Sequence, residues 1–395
     1  MRSEWITSTI DDICKLVTDG AHNSPKSVDN GYYMASVKDF TAYGFDFSNC
    51  RKISEADYLK LKKQGCVPES GDILVGKDGA RYFEDVIIYR QKEQPALLSS
   101  IAILRVDDTK VTSEFLYYTL KSPAVKKDVR DNYGSGSAIP RIVLKDFKRM
   151  PISFPSLKEQ KKITNICVLL DEKIQLNNRI NKNLEQQAKA LYKDWFFDFS
   201  PFSTEGNLPN GCRLGTVGDI IQLHDSKRVP LSGSERDKME KLYPYYGATS
   251  LMDYVDNYLF DGIYLLLGED GTVVDSLGFP ILQYVYGQFW VNNHAHIITG
   301  KEGFSVEELY LFFSLTNIKS IVTGAVQQKV SQQNLKKVPA IIPSKEALSA
   351  FDDLIQPIFA QIRNLRDENA HLADLRDTLL PRLMSGELDV SDIDL

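Results

Sequence analysis

The chain has 395 residues, too many for a single hydrophobic core, so two or three domains are expected. Its hydrophobic content of 43% and charged content of 25% are those of an ordinary globular protein. No apolar run approaches the ~20 residues that cross a bilayer, and MRSEWITSTIDDI lacks a secretory apolar region. Five cysteines (Cys14, Cys50, Cys66, Cys167, Cys212) form no CxxC pair, which fits a reducing cytoplasm and suggests neither a disulfide framework nor a zinc site. The net charge of −6 argues against nucleic acid at first, but it is unevenly placed: residues 1–198 carry an excess of 4 positive charges and residues 199–395 an excess of 10 negative ones. Only charge within about a Debye length of a phosphate matters, so a local basic patch remains open.

In chain order, the first half offers strand-like runs DILVG (72–76), VIIYR (86–90) and SIAILRV (100–106), then a helical pattern, SEFLYYTLKS (113–122). A turn and basic stretch follow in GSGSAIPRIVLKDFKRMPISFPSLKEQ (134–160). The second half repeats the order with IYLLLG (263–268), AHIIT (295–299), VEELYLFFSL (306–315) and GAVQQKVSQQNLKKVPAIIPSKEAL (324–348). A shift of 188 aligns Gly136 with Gly324, Arg141 with Lys329, Lys148 with Lys336, Pro151 with Pro339 and Pro155 with Pro343. GKDG (76–79) matches GEDG (268–271) at a shift of 192, and TSTIDDI (7–13) matches GTVGDII (215–221). The period is far too long for a solenoid and predicts a duplicated domain-plus-helix unit.

Each unit ends in a long helical pattern. In the first, Ile163, Ile166, Leu170, Ile174, Ile180, Leu184, Ala188, Leu191 and Trp195 recur at steps of 3 or 4, with Asn177 as a polar member. In the second, Leu348, Phe351, Ile355, Ile358, Ile362, Leu365, Leu372, Leu375, Leu379 and Leu383 do the same around Asn369. Two narrow stripes are buried most cheaply against each other, so an antiparallel pair is expected, with Ile166, Leu170, Ile174, Leu184 and Leu191 facing Ile358, Ile362, Leu365, Leu372 and Leu379. Pro357 removes a backbone donor and predicts a break in the second helix. The fold class is therefore mixed α/β (α+β). The expected division is a first domain over 1–155, a helix over 156–198, a second domain over 199–343, a helix over 344–386 and an acidic tail over 387–395.

Catalytic motifs are missing. There is no GxxxxGK[ST] phosphate loop, no Asn-Pro-Pro-Tyr or Asp-Pro-Pro-Tyr amine-holding motif, and GSG (134–136) is too weak for a methyl-donor loop. His294 and His296 share a presumed strand face and would suit a metal, but no third ligand is evident. Asp78 and Asp270 recur in both units, as turn residues do. Corresponding loops do carry polar, aromatic and basic groups twice. The first unit presents His22, Asn23, Lys26, Lys77, Arg81, Tyr82, Tyr133, Ser135 and Arg141; the second presents Lys227, Arg228, Tyr245, Tyr246, Thr249, Gln327, Gln328 and Lys329. Cations neutralise phosphates, and Arg, Asn and Gln read base edges.

In MPISFPSLKEQ and VPAIIPSKEAL, DGAHNSP, YYGA, ALYKDWFFDF and LLPRLMSGEL, taken in order, the chain resembles the specificity subunit of type I restriction–modification systems over essentially its whole length. The resemblance implies two target-recognition domains separated by two helices in an antiparallel coiled coil. Each domain would read half of a bipartite, asymmetric DNA target in the cytoplasm. The helices would dock two methyltransferase subunits, which bring S-adenosylmethionine, while a separate motor-nuclease subunit uses ATP and Mg²⁺; this chain would bind no cofactor and be no enzyme. The recognition subunit of a type IIB-like bifunctional enzyme, or a self-sufficient divergent methyltransferase, are the alternatives. A helix over 170–197 would span ~42 Å, a suitable ruler for half-sites ~34–36 Å apart. Cys212 stands where the family often has tryptophan, as Trp5 does in the first unit.

Overall fold

The computed structural model of the protein describes residues 5–79, 81–134, 140–202, 208–324 and 327–390. Two compact units divide the chain: Met1–Gln175 with Glu368–Leu395, and Leu176–Asp367. The division falls inside the two long helices, so each unit is a mixed α/β domain with part of each helix attached.

The first unit opens with β1 (Ile6–Thr9) and β2 (Cys14–Asp19), then β3 (Ile73–Gly76), β4 (Val86–Ile88) and β5 (Ile101–Val106). One antiparallel sheet runs in the order β2-β5-β3-β4, with Ile103 opposite Thr18 on one side and Leu74 on the other. β5 is buried on both faces, which is why it reads as a nearly continuous apolar run. Its period of two still shows: Ala102 and Leu104 pack with Phe115 and Leu116, while Ile101 and Ile103 pack with Ala35, Phe45 and Tyr89. Phe115 and Leu116 belong to α1 (Ser113–Lys121), started by Thr112, whose hydroxyl accepts the Phe115 N–H. β6 (Pro151–Phe154) returns to β1, with Pro151 opposite Thr9, and delivers the chain into α2 (Leu157–Phe196).

The second unit repeats this frame. It contains β7 (Arg213–Thr216), β8 (Ile221–Leu223), β9 (Tyr243–Tyr246), β10 (Leu251–Val255), β11 (Phe260–Gly268), β12 (Asp270–Gly271), β13 (Leu282–Val291) and β14 (Ala295–Gly300). After these come α3 (Val306–Leu315), β15 (Gln328–Lys329), β16 (Pro339–Ile342) and α4 (Lys345–Met384). The sheet order β8-β14-β11-β13-β9-β10 begins with the equivalents of β2-β5-β3-β4 and adds a hairpin. Pro339 of β16 lies opposite Thr216 of β7, as Pro151 lies opposite Thr9. The stretch between the first two core strands differs most. In the second unit it makes the β9–β10 hairpin, whereas in the first it folds around Tyr32–Ala35, which pairs with Lys52–Ile53 and Ala96–Leu97. Tyr245 and Tyr246, expected above on a loop with Thr249, thus lie in a strand. Pro244 argues against an inner strand, but β9 is paired with β13 only at Tyr245 and Tyr246, so the missing N–H falls outside that ladder.

α2 and α4 have 40 residues each, ~60 Å at the rise of an α-helix, so α2 starts well before the ~28-residue stretch taken as the ruler. They run antiparallel in each unit: Asp171 meets Arg376 and Lys173 meets Glu368 in the first, while Glu185 meets Arg366 and Phe196 meets Phe351 in the second. The seam is displaced from the expected one. Cys167, Asp171, Asn181, Tyr192, Phe359 and Leu380 are buried, whereas Ile166, Leu170, Leu184, Leu191, Ile358, Leu372 and Leu379 are only half-buried; Ile174, Ile362 and Leu365 lie in the buried row as read. Leu375 is exposed. Asn177, read as a polar member, is buried in the row; tracing apolar residues steps past Asp171 and Asn181, its other buried polar members. The helix does not break at Pro357, which is exposed, as is Asp353 four residues before it. The carbonyl that proline leaves without a donor therefore faces solvent, while Ile355 and Phe359 keep the buried row intact.

Glu308 of α3 sits under this helix pair with no exposed surface. Its Oε2 accepts the Ser305 N–H at 2.8 Å. Burial pushes its carboxyl up from 4.5 to about 8, with the Asp352 charge adding to the effect and the Ser305 hydrogen bond opposing it. Between those pH values the folded protein holds a proton that the unfolded chain has released, so stability falls as pH rises through that window. Glu308→Gln removes the ionisation. The variant should melt above the wild type at pH 8, with the gap closing toward pH 5; calorimetry showing the same gap at both would exclude this origin.

Candidate nucleic-acid interface

Both units build their sheet-end loops on the same hydrogen-bonded turn. In the first, the Gly79 N–H donates to the Pro140 carbonyl and the Ile142 N–H to the Lys77 carbonyl, each at 3.0 Å, placing Asp78 opposite Arg141. In the second, the Val330 N–H donates to the Glu269 carbonyl at 2.8 Å, and Asp270 of β12 lies opposite Lys329 of β15. The GKDG/GEDG match and the Arg141/Lys329 match, found at different shifts, are thus two sides of one ladder. Gly79 and Gly271 have φ of 97° and 92°, a left-handed backbone that favours glycine. The DGAHNSP loop joins the cluster, because the Ala21 N–H donates to Leu97 and the Ser99 N–H to Ala21.

Behind each turn lie buried charges, with signs exchanged between the units. Lys77, 7% exposed, follows Gly76 and directs its ammonium to Asp19 at 3.3 Å and Asp78 at 3.7 Å. The residue at this place in the second unit is Glu269, and its counter-charge is Arg228, whose Nη1 donates to Glu269 at 2.6 Å and to the Ala295 carbonyl at 2.8 Å. Asp225 takes the place of Asp19: it accepts the Ile297 N–H at 2.9 Å, the Gln332 amide at 2.5 Å and a hydrogen bond with His296 Nδ1 at 2.6 Å. His296 Nε2 donates to the Val330 carbonyl, tying the network to the turn. Burial alone would raise the Asp225 carboxyl. The His296 and Ile297 hydrogen bonds and the Arg228 charge outweigh it and hold the group below its ordinary range.

Among the described residues, the ligand atoms of Asp225, Glu269 and His296 lie within 4.8 Å of one another, a spacing that could suit a metal. The Arg228 guanidinium already counters both carboxylates, so a metal would have to displace it. The two histidines singled out in the sequence do not act together. His294 precedes β14 and meets Asp270 at 2.6 Å, while His296 faces Asp225.

Comparison with known proteins decides the family. The description of the type I restriction modification DNA specificity domain matches residues 2–186 and again 209–370, one match for each half of the repeat. The chain belongs to this family. It is similar to the type I restriction enzyme MjaIX specificity subunit of Methanocaldococcus jannaschii, 26% identical over 311 residues, 72% of this chain and 71% of that protein. It is also similar to the HindI specificity subunit of Haemophilus influenzae, 23% identical over 399 residues, covering 81% of this chain and 87% of the relative. A solved type I restriction-modification S subunit from M. genitalium covers 96% of each chain with a TM-score of 0.54 at 18% identity, a likeness of fold.

As a specificity-family chain, the protein is expected to present its reading groups to solvent, and many of the expected ones are so placed. His22, Asn23 and Lys26 are exposed, and the first two border a groove of about 500 Å³ lined also by Asp57, Lys60 and Gln64. Arg81 and Arg141 are exposed, as are Lys227, Thr249, Gln327, Gln328 and Lys329. Ser135 lies outside the described residues. Others are placed otherwise. Lys77 is the buried counter-charge to Asp19, and Arg228 is consumed by Glu269 and Asp225. Tyr245 is 1% exposed; its hydroxyl accepts the Leu231 N–H and its ring lies 4.9 Å from the Arg236 guanidinium. Tyr82, Tyr133 and Tyr246 are half-buried, with Arg149 over the Tyr133 ring. Sequence reasoning missed Lys38, which with Arg81 lines a groove of about 450 Å³ beside Gly76–Gly79, and Met252 at the hairpin tip. Neither has a repeat partner, so the comparison between halves could not find them.

Removing Lys77 would leave Asp19 buried without a lysine counter-charge, with only the exposed His22 ring, 3.2 Å away, as a side-chain partner. Lys77→Met is expected to destabilise the first unit by roughly 3–5 kcal/mol, whereas Arg81→Ala, at an exposed pair with Asp85, should leave the melting temperature unchanged. Equal melting temperatures for the two variants, measured by scanning calorimetry, would show that Lys77 is not held as described.

Proposed function

We propose that the chain is the non-catalytic DNA-recognition subunit of a type I restriction–modification complex, in which each unit reads one half of a bipartite, asymmetric target. The observation that supports this most is the paired turn: Asp78 opposite Arg141 and Asp270 opposite Lys329, built from equivalent strands but surrounded by different loops. A duplicated frame with unequal loops suits a target whose two halves differ. Exposed cations such as Lys26, Lys38, Arg81 and Arg141 would lie against phosphates and fix register, and exposed amides and hydroxyls would meet base edges.

Each recognition domain is tied to the helix pair by a tyrosine, a carboxylate and an arginine. In the first unit the Tyr118 hydroxyl donates to Asp171, which pairs with Arg376 at 2.5 Å; in the second the Tyr284 hydroxyl donates to Glu307, which pairs with Arg363 at 3.0 Å. On this reading the helices carry the readers and dock two methyltransferase subunits, which bring S-adenosylmethionine; a motor-nuclease subunit brings ATP and Mg²⁺. No helix among the described residues is long and apolar enough to cross a membrane. On this reading the chain acts on DNA in the cytoplasm.

The test is to reconstitute the chain with the methyltransferase subunits and to sequence the methylated adenines in DNA exposed to the complex. A two-part target with an unspecified spacer is expected, and Arg81→Ala should weaken binding with a smaller dependence on salt. An uninterrupted target, or methyl-donor binding by this chain alone, would overturn the proposal.

A further inference from the structure

The loop over residues 20–27 of the first unit is fastened on both sides of a short exposed crest. On the entering side, the Gly20 N–H donates to the Ile101 carbonyl at 3.1 Å and the Ala21 N–H to the Leu97 carbonyl at 2.7 Å. A Cβ on Gly20 would fall 2.3 Å from the Leu97 carbonyl oxygen, so glycine is what lets the backbone come this close. On the leaving side, the Arg51 guanidinium is spent on the loop: Nη2 donates to the Ser24 hydroxyl at 2.6 Å and Nη1 to the Pro25 carbonyl at 3.2 Å. The Val28 N–H then donates to the Lys52 carbonyl at 3.0 Å. Arg51 itself is held, because its carbonyl accepts the Met34 N–H at 2.9 Å.

Between these fastenings stand His22 and Asn23. The His22 side chain is 74% exposed, yet its Nε2 faces the Asp19 carboxylate at 3.2 Å. A carboxylate only accepts, so this nitrogen carries a proton and the ring is held by its inner edge. Asn23 is exposed, and its amide has no partner among the described residues. Both border the groove that Lys60 and Gln64 also line. The second unit is built otherwise at this place. The residue three past Asp19 is His22, turned out; the residue three past Asp225 is Arg228, turned in to Asp225 and Glu269. A free amide on a fastened backbone is what bidentate reading of a base edge needs. Asparagine offers a donor and an acceptor side by side, and adenine shows the complementary N7 and 6-amino group in the major groove. A loop ordered on folding has little ordering entropy left to lose on binding.

Resting on the DNA-recognition reading above, we propose that Asn23 reads an adenine in the half-site of the first unit, and that Arg51 is a positioning residue that holds the reading loop without touching DNA. The test uses the full reconstituted complex. Sequencing of methylated sites is expected to show that Asn23→Ala relaxes one A·T position in one half of the target and leaves the other half as it was. With 7-deazaadenine at that position, which keeps base pairing but lacks the N7 acceptor, the unaltered complex should bind roughly tenfold more weakly. The Asn23→Ala complex should bind both duplexes alike. Arg51→Lys keeps the charge but lacks the fork that spans Ser24 and Pro25; it should relax the same half-site while the salt dependence of binding stays unchanged. Unaltered specificity in Asn23→Ala, relaxation at a base other than adenine, or relaxation in both halves would overturn the inference and leave bipartite recognition standing. Full discrimination by Arg51→Lys, with a smaller salt dependence in Arg51→Met, would mean that Arg51 meets a phosphate and would overturn its positioning role. Failure of the unaltered complex to bind any DNA would sink the recognition reading itself.

Discussion

A carboxylate buried behind each sheet-end turn is the constraint on which the loops depend. Asp19 and Asp225 each lie within the fold at the end of the strand that edges the core sheet, and a buried charge is tolerated only when it is paired. The pairing groups come from the turn and from segments around it: Lys77 from GKDG in the first unit, and in the second Arg228 from a loop, His296 from β14 and Gln332 from the start of a short helix. Satisfying the carboxylate therefore fixes the turn, and the turn fixes the residues on the far side of its ladder, Arg141 and Lys329. Such a network rigidifies only when all its members are satisfied. In both units the acid is met by a cation or by several hydrogen bonds.

The same constraint accounts for the uneven charge. A unit that places glutamate after the turn glycine must bring its own cation to cover it, and the second unit brings Arg228 from the adjoining loop. That arginine raises the count of basic residues without adding a free cation to the surface. The acidity of the second half is thus less informative than its size suggests, because what matters is which charges reach the surface.

Much of the architecture could be read in the sequence, for physical reasons. The strands Ile73–Gly76, Ile101–Val106 and Ala295–Gly300 are short apolar runs because they are covered on both faces. The joints MPISF and VPAII recur because each is a strand feeding a 40-residue helix. The seam was read in part: Ile163, Ile174, Asn177, Ala188, Ile355, Ile362 and Leu365 are buried as read, whereas Asp171 and Asn181 are buried at polar positions where hydrophobic pattern alone has no signal. Lys77 and Arg228 looked like surface cations because nothing local in GKDG or HDSKRVP marks their partners. Asp19 is 58 residues before Lys77, and Glu269 is 41 residues after Arg228. Tyr245 and Tyr246 looked like loop residues because proline precedes them, and the sheet tolerates that proline only through a pairing that sequence does not show.

The division of labour between frame and insert explains how one duplication can carry two unlike sets of loops. Strands β2-β5-β3-β4 and β8-β14-β11-β13, with the joint strand and the helix, supply much of each unit's buried core, so substitution at those buried positions is costly in packing. The stretches between the first two core strands make a hairpin in one unit and a small separate sheet in the other, and their tips pack less and face solvent. Change at the tips costs little stability, which is why binding groups concentrate on loops held by a rigid scaffold. The GxDG turn lies at the boundary between the two regimes. Its backbone ladder is the same in both units, while the side chain behind it has changed sign, so a compensated charge exchange can alter what the loop offers without moving the loop.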